Sequence, residues 1–180
     1  ILVCAKTDTE VQPAYKGVSI ILVEAERDGF ERGRNLDKIG QHAQDTAELF
    51  FTDVRVPKDN LLGEEGSGFI QLMTELPQER LIVSTAAIGM CERALRLTID
   101  YVKERRAFGK AIIDFQNTQF VLAECKTEAT AAKVFLDHCI ERHIRGELDT
   151  VTASMIKYWS TDVQAKVIDG ESFNNVLELN

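Results

Sequence analysis

The sequence predicts an α+β chain, with a β-rich stretch over residues 1–62 and an antiparallel helical bundle over residues 63–180. Two observations carry this. Apolar residues recur every second position in the first third and every three or four positions afterwards, the two periods of strand and helix. Glycine and proline also crowd the first part, at Gly17, Gly29, Gly33, Gly40 and Pro57, as turn residues between short strands do.

The strands come first. "ILVCA" and "VSIILVE" are β-branched runs, and in "AELFFTDVRVP" Ala47, Leu49 and Phe51 alternate with more varied neighbours. Such alternation predicts strands buried on one face. "ILVCAK" begins without methionine and reads as the middle of a strand, so further residues are expected before it; it is too short and lacks the basic flank of a signal peptide. "GEEGSG" at 63–68 reads as a linker, because its two carboxylates would repel a phosphate.

Three helical segments follow. Leu81, Ile88, Leu95 and Val102 recur every seven residues. Leu122, Ala129 and Leu136 form one row of a second helix, and Cys125, Ala132 and Cys139 form the other. Ala153, Ile156, Ser160, Val163 and Val167 step by three and four. Stripes of this kind predict an antiparallel bundle, and the small residues among them predict close packing. Pro77 is expected to open the long helix, where its missing N–H costs nothing. Glu79 would then sit in the first turn, favoured by the helix dipole and beside Arg80.

Composition narrows the function classes. With 44% hydrophobic and 28% charged residues the chain can build an ordinary core. A net charge of −8 disfavours nucleic-acid binding, and no apolar run reaches membrane-spanning length. Cys4, Cys91, Cys125 and Cys139 show no C-x-x-C spacing, and read as structural thiols in a reducing compartment. Cys139 and His143 stand four apart, but no second pair joins them to make a metal site.

Two stretches carry possible chemistry. "ELPQERL" at 75–81 puts Glu79 and Arg80 at the mouth of an apolar helix, as either a helix-start carboxylate or a base. "KERRAFGKAIIDFQNTQ" at 103–119 is either a solvated loop or an anion site. In the second case Arg105 forks onto a phosphate, Phe108 stacks on a planar ring and Gln116 offers an amide. No P-loop or G-x-G-x-x-G is present.

Taken in order, "DKIGQHAQDTAELFFTDVRVPKDNLLGEEGSGF", "ELPQERL", "YVKERRAFGK" and "FQNTQFVLAE" resemble the acyl-CoA dehydrogenase family, and the likeness runs from about residue 1 to residue 169. "AQDTAELFF" followed by "ELPQERL" is most similar to the long-chain branch. The resemblance implies three domains, of which residues 1–62 would be the end of the middle β-domain (barrel- or sandwich-like) and 63–180 an incomplete C-terminal bundle. It implies FAD, an acyl-CoA substrate oxidised at its α–β bond in β-oxidation, electron-transfer flavoprotein as acceptor, and a homotetramer in the full-length protein. A mitochondrial matrix location is implied for a eukaryotic source and a cytoplasmic one for a bacterial source.

Carried over residue by residue, Glu79 matches the catalytic base of the long-chain and isovaleryl branches, and Arg80 a substrate-channel arginine. Leu76 and Met73 would line the acyl channel or pack in the core. Arg105, Phe108 and Gln116 match positions that reach the FAD of a neighbouring subunit. The tail "GESFNNVLELN" departs from the family, which continues with a glycine-rich segment and further helices. The chain alone is therefore expected to be inactive. Two other classes stand beside this reading: a non-catalytic helical module pairing with full-length subunits, and an acyl-CoA oxidase-like flavoenzyme using oxygen.

Overall fold

The structure, a computed structural model, describes residues 1–168, so the departing tail at 170–180 lies outside the described residues. The chain divides into two compact units, one over Ile1–Met73 and one from Thr74 onward.

The first unit is built from hairpins. Strand β1 (Leu2–Lys6) pairs antiparallel with β2 (Val18–Leu22), and β3 (Phe30–Asn35) pairs antiparallel with β4 (Ala47–Phe51). Among the described residues no sheet exceeds two strands, although Leu61 adds an isolated bridge to Ile21. Ser19 ties the unit together. Its buried hydroxyl lies 2.8 Å from that of Thr7 and accepts the Gly66 N–H at 2.9 Å. The expected alternation holds in β1 and fails in β4, where Leu49, Phe50 and Phe51 are all exposed. A two-stranded sheet buries a face only where another element covers it, and no described element covers these side chains.

Helix α1 (Gly68–Glu104) begins in the first unit and runs into the second. It starts earlier than the sequence suggested. Pro77 lies inside it and Glu79 two residues further on, so neither is in the first turn and no helix-start dipole acts on Glu79. Phe69, Leu72 and Leu76 already carry the helical period, which lets the helix begin at Gly68. Pro77 has no N–H for the carbonyl of Met73, and the division between the units falls at that residue.

The second unit is the bundle. After α1 come a tight hairpin of β5 (Arg106–Ala107) and β6 (Lys110–Ala111), then α2 (Gln116–Ile144) and α3 (Thr150–Ile168). Gly146, at φ +71°, ends α2: its N–H bonds the His143 carbonyl and the next N–H bonds Arg142. Asp149 caps α3 by accepting the Thr152 N–H at 2.8 Å and the Thr152 hydroxyl at 2.6 Å. These bonds, with Arg142 nearby, hold the Asp149 carboxyl below its usual range.

Cross-links fix the helix directions. Arg142 meets Asp149 while Lys166 meets Glu124, so α2 and α3 run antiparallel. Lys133 bonds Glu92 at 2.7 Å, and Lys126 shares a groove with the later Arg96 and Asp100, so α1 and α2 also run antiparallel. Every seam residue named from the sequence is buried: Leu81, Ile88, Leu95 and Val102 on α1, both rows on α2, and all five positions on α3. The stripes also include Ser84, Cys91, Thr98 and Thr118. Buried Ser84 satisfies its hydroxyl on the Arg80 carbonyl one turn back. Helices α2 and α3 approach each other most closely, where Ala129, Ala132, Ala153 and Ser160 bring little bulk.

Two outcomes test this packing. Ala132 is fully buried and Ala131 exposed on the same helix. Ala132→Leu should therefore cost about 1–3 kcal/mol in urea unfolding through overpacking, and Ala131→Leu within about 0.5 kcal/mol. Burial raises the thiol pKa of Cys91 and Cys139, and Cys125 is buried with them, whereas Cys4 is exposed. A thiol reagent should label Cys4 in the native chain and reach the other three only on unfolding.

Candidate active site

The residues singled out from the sequence fall into two places. Glu79, Arg80 and Leu76 line one open groove of about 460 Å³, together with Val83 on α1 and Ser154 and Lys157 on α3. Leu76 and Arg80 are half-buried, and Glu79 is exposed. Met73 is exposed and falls in the first unit. Ser154 and Lys157 were missed by sequence reading. They flank the buried positions Ala153 and Ile156, and only the pairing of α3 with α1 shows which residues meet across the groove.

The groove carries one electrostatic oddity. Among the described residues, Nη1 of Arg80 is a buried side-chain nitrogen with no hydrogen-bond partner. Native proteins rarely leave a buried donor unmatched, least of all a cationic one. Lys157 forms no ion pair among the described residues. Two cations and one carboxylate thus border a floor made partly by Leu76 and Val83. Such a groove suits an apolar chain that carries a polar, electron-rich group at one point.

The second place is the hairpin after α1. The Ile112 N–H closes it on the Arg105 carbonyl at 2.8 Å. Phe108 and Gly109 form its tip at φ +52° and +83°, as a two-residue hairpin turn requires. Glycine takes that conformation freely, whereas phenylalanine does not. Phe108 is nonetheless 81% exposed, touching Phe115 edge-on with ring centroids 6.3 Å apart. Lys110 sits 4.0 Å over the Phe115 ring. Arg105 and Gln116 are exposed, and Gln116 is the first residue of α2. This place therefore offers an aromatic ring, a guanidinium and an amide to solvent.

The structure does not bring the two places together. They lie toward opposite ends of α1, about 39 Å apart by the 26 residues from 79 to 105 at about 1.5 Å each. Among the described residues no helix is long and apolar enough to cross a membrane, and no group of three acidic, His or Cys side chains could hold a metal.

A long helix opening a three-helix seam, with a carboxylate–arginine pair on its flank and an aromatic-tipped hairpin at its end, defines the helical unit. The family model for the acyl-CoA dehydrogenase C-terminal domain matches residues 66–170. The chain belongs to the acyl-CoA dehydrogenase family. It is 47% identical over 167 residues to the mitochondrial long-chain specific acyl-CoA dehydrogenase of Mus musculus, covering 93% of this chain and 39% of that protein. The crystal structure of acyl-CoA dehydrogenase from Geobacillus kaustophilus superposes with a TM-score of 0.91 at 49% identity, over 93% of this chain and 44% of that one. A caffeyl-CoA reductase–Etf complex subunit of Acetobacterium woodii is 35% identical over 162 residues, or 90% of this chain and 42% of that protein. The chain thus spans about two fifths of the length of the curated relatives it matches.

The backbone at Phe108 gives a direct test. Phe108→Gly and Phe108→Val lose the same ring contact and differ in tolerance of positive φ. The glycine variant should unfold at a temperature equal to or above that of the native chain. The valine variant should lose about 1–2 kcal/mol in the same thermal scan.

Proposed function

We propose that this chain is the helical half, with the end of the middle β-domain, of a FAD-dependent acyl-CoA dehydrogenase that acts on long-chain fatty acyl-CoA thioesters. On this reading residues 1–62 complete a β-domain of barrel or sandwich type with strands from elsewhere in a full-length protein, and residues 63–180 belong to the bundle. The observation that carries the reading is the groove in which Glu79, Arg80 and Leu76 meet. The long-chain relatives support the substrate class, and being mitochondrial proteins they support a mitochondrial location. The Etf-complex relative supports an electron-transfer flavoprotein as partner.

Glu79 is the base. The α-hydrogen of an acyl thioester is weakly acidic, and its removal needs a carboxylate held within hydrogen-bonding reach and out of water. Glu79 is exposed within this chain, so water is excluded by the acyl chain itself and by parts of the full-length protein. The proton passes from the α-carbon to a Glu79 carboxylate oxygen. Arg80, with its unmatched buried nitrogen, binds and orients the substrate beside it. Leu76 and Met73 contact the acyl chain.

Arg105, Phe108 and Gln116 fit FAD: the guanidinium suits its phosphates, the exposed ring its planar surfaces and the amide its polar edges. The cofactor, when bound, supplies the acceptor for the hydride that leaves the β-carbon. The separation along α1 supports a role for the hairpin at the FAD of a neighbouring subunit, within a homotetramer.

The test uses a full-length protein containing this chain. Flavin absorbance is followed anaerobically as a long-chain acyl-CoA is added. Native protein should bleach, and Glu79→Gln should bind the thioester yet bleach about 10²–10⁴-fold more slowly. Equal rates would make Glu79 a groove-lining carboxylate and move the base elsewhere.

A further inference from the structure

One charged groove residue has no part in the proposed reaction. Lys157 stands on α3, lining the groove with Glu79 and Arg80 of α1. The helix register places it there independently. The Gln164 amide donates to the Met90 sulfur at 2.8 Å, and α1 and α3 run parallel. Lys157 and Val83 each lie seven residues, or about two turns, before that contact. Lys157 is therefore level with Val83, and Glu79 is one turn further back along α1.

The two charges are opposite and uncommitted. Neither Glu79 nor Lys157 forms an ion pair among the described residues. Lys133 and Lys166, by contrast, close on carboxylates of a neighbouring helix, on Glu92 at 2.7 Å and on Glu124 at 3.0 Å. The charged side chains around Glu79 are Glu75 one turn earlier and Arg80 beside it on α1, and Lys157 on α3. Helix α2 lines no part of the groove. Glu75 repels a second negative charge at this spacing, and Arg80 is engaged by the substrate on the reading above. That leaves Lys157 as the counter-charge for Glu79.

Water decides what this cation does. In the open groove, solvent screens Lys157 from Glu79. Once an acyl chain fills the groove, that screening is lost. A carboxylate left alone out of water takes up a proton, and a protonated carboxyl cannot accept another from the α-carbon. A cation across the groove opposes that protonation.

We propose that Lys157 is a positioning residue for the base: its ammonium, across the groove from Glu79, keeps that carboxylate ionised and oriented when the substrate expels water. The proposal rests on the reading of Glu79 as the base.

The experiment follows anaerobic flavin bleaching by saturating long-chain acyl-CoA in a full-length protein containing this chain, from about pH 5.5 to about pH 9. At saturation the profile reports groups in the substrate complex. A cation favours the ionised carboxylate, so removing it should let Glu79 protonate at higher pH. Lys157→Met should therefore move the acid limb of the profile upward by about one pH unit or more. Lys157→Arg, which keeps the charge, should return the limb to the native position. An acid limb unmoved by Lys157→Met would overturn the proposal. So would an equal loss of rate at every pH, which is the mark of a packing or substrate-binding role. Glu79→Gln in the same assay reads the base by itself. If that variant bleaches as fast as the native protein, the base reading fails. If it is slow while the limb of Lys157→Met stays in place, only the role of Lys157 fails.

Discussion

The double seam of α1 is the constraint on which the second unit depends. One face of this helix, from Leu81 to Val102, is buried with α2 and α3, and the opposite face, from Leu76 to Tyr101, is more exposed and meets α3 along the groove and at Gln164. Two apolar stripes on one helix leave only narrow flanks for charge, and those flanks are where Glu92, Arg80 and Arg96 fall. The closeness of α2 to α3 follows from their alanines, cysteines and serine. Larger side chains there would push α3 away from α1 and widen the groove that Leu76, Glu79, Arg80 and Val83 share with Ser154 and Lys157. Packing in the seam thus sets the geometry of the candidate site without any seam residue reaching it.

The bundle was legible because it is periodic. Buried positions in α1, α2 and α3 repeat at helical spacing, and the spacing survives whether the side chain is Leu, Cys, Ala or Ser. The start of α1 was not legible in the same way. Pro77 is the strongest local signal in its neighbourhood, and a reading led by it placed the helix start nine residues too late. The apolar steps at Phe69, Leu72 and Leu76 outweigh one lost hydrogen bond. In the β-rich unit the alternation in β4 was real as a pattern and failed as a burial forecast. Burial of a strand depends on what lies over it, and a period of two does not say whether that element is present.

The candidate site was half legible. Glu79, Arg80 and Leu76 could be named because they sit close together in sequence and resemble a family motif. Ser154 and Lys157 come from a helix more than seventy residues later and lie beside a seam rather than on it. Their membership depends on α1 and α3 running parallel, which the pairs Arg80–Ser154 and Met90–Gln164 reveal only in three dimensions. The hairpin residues were legible as chemistry but not as strain. Nothing in "RRAFGK" says that Phe108, rather than Gly109 alone, takes a positive φ.

One rigid helix separating Glu79 from Arg105 has a consequence for the proposed enzyme. A cofactor and a base that act on the same bond must meet at that bond, yet α1 holds Glu79 and Arg105 apart by about 39 Å. Bending cannot close the gap, since α1 is packed into the bundle along its length. On the proposed reading, then, each active site draws its base from one chain and part of its cofactor grip from another. Assembly becomes a condition for catalysis rather than an addition to it.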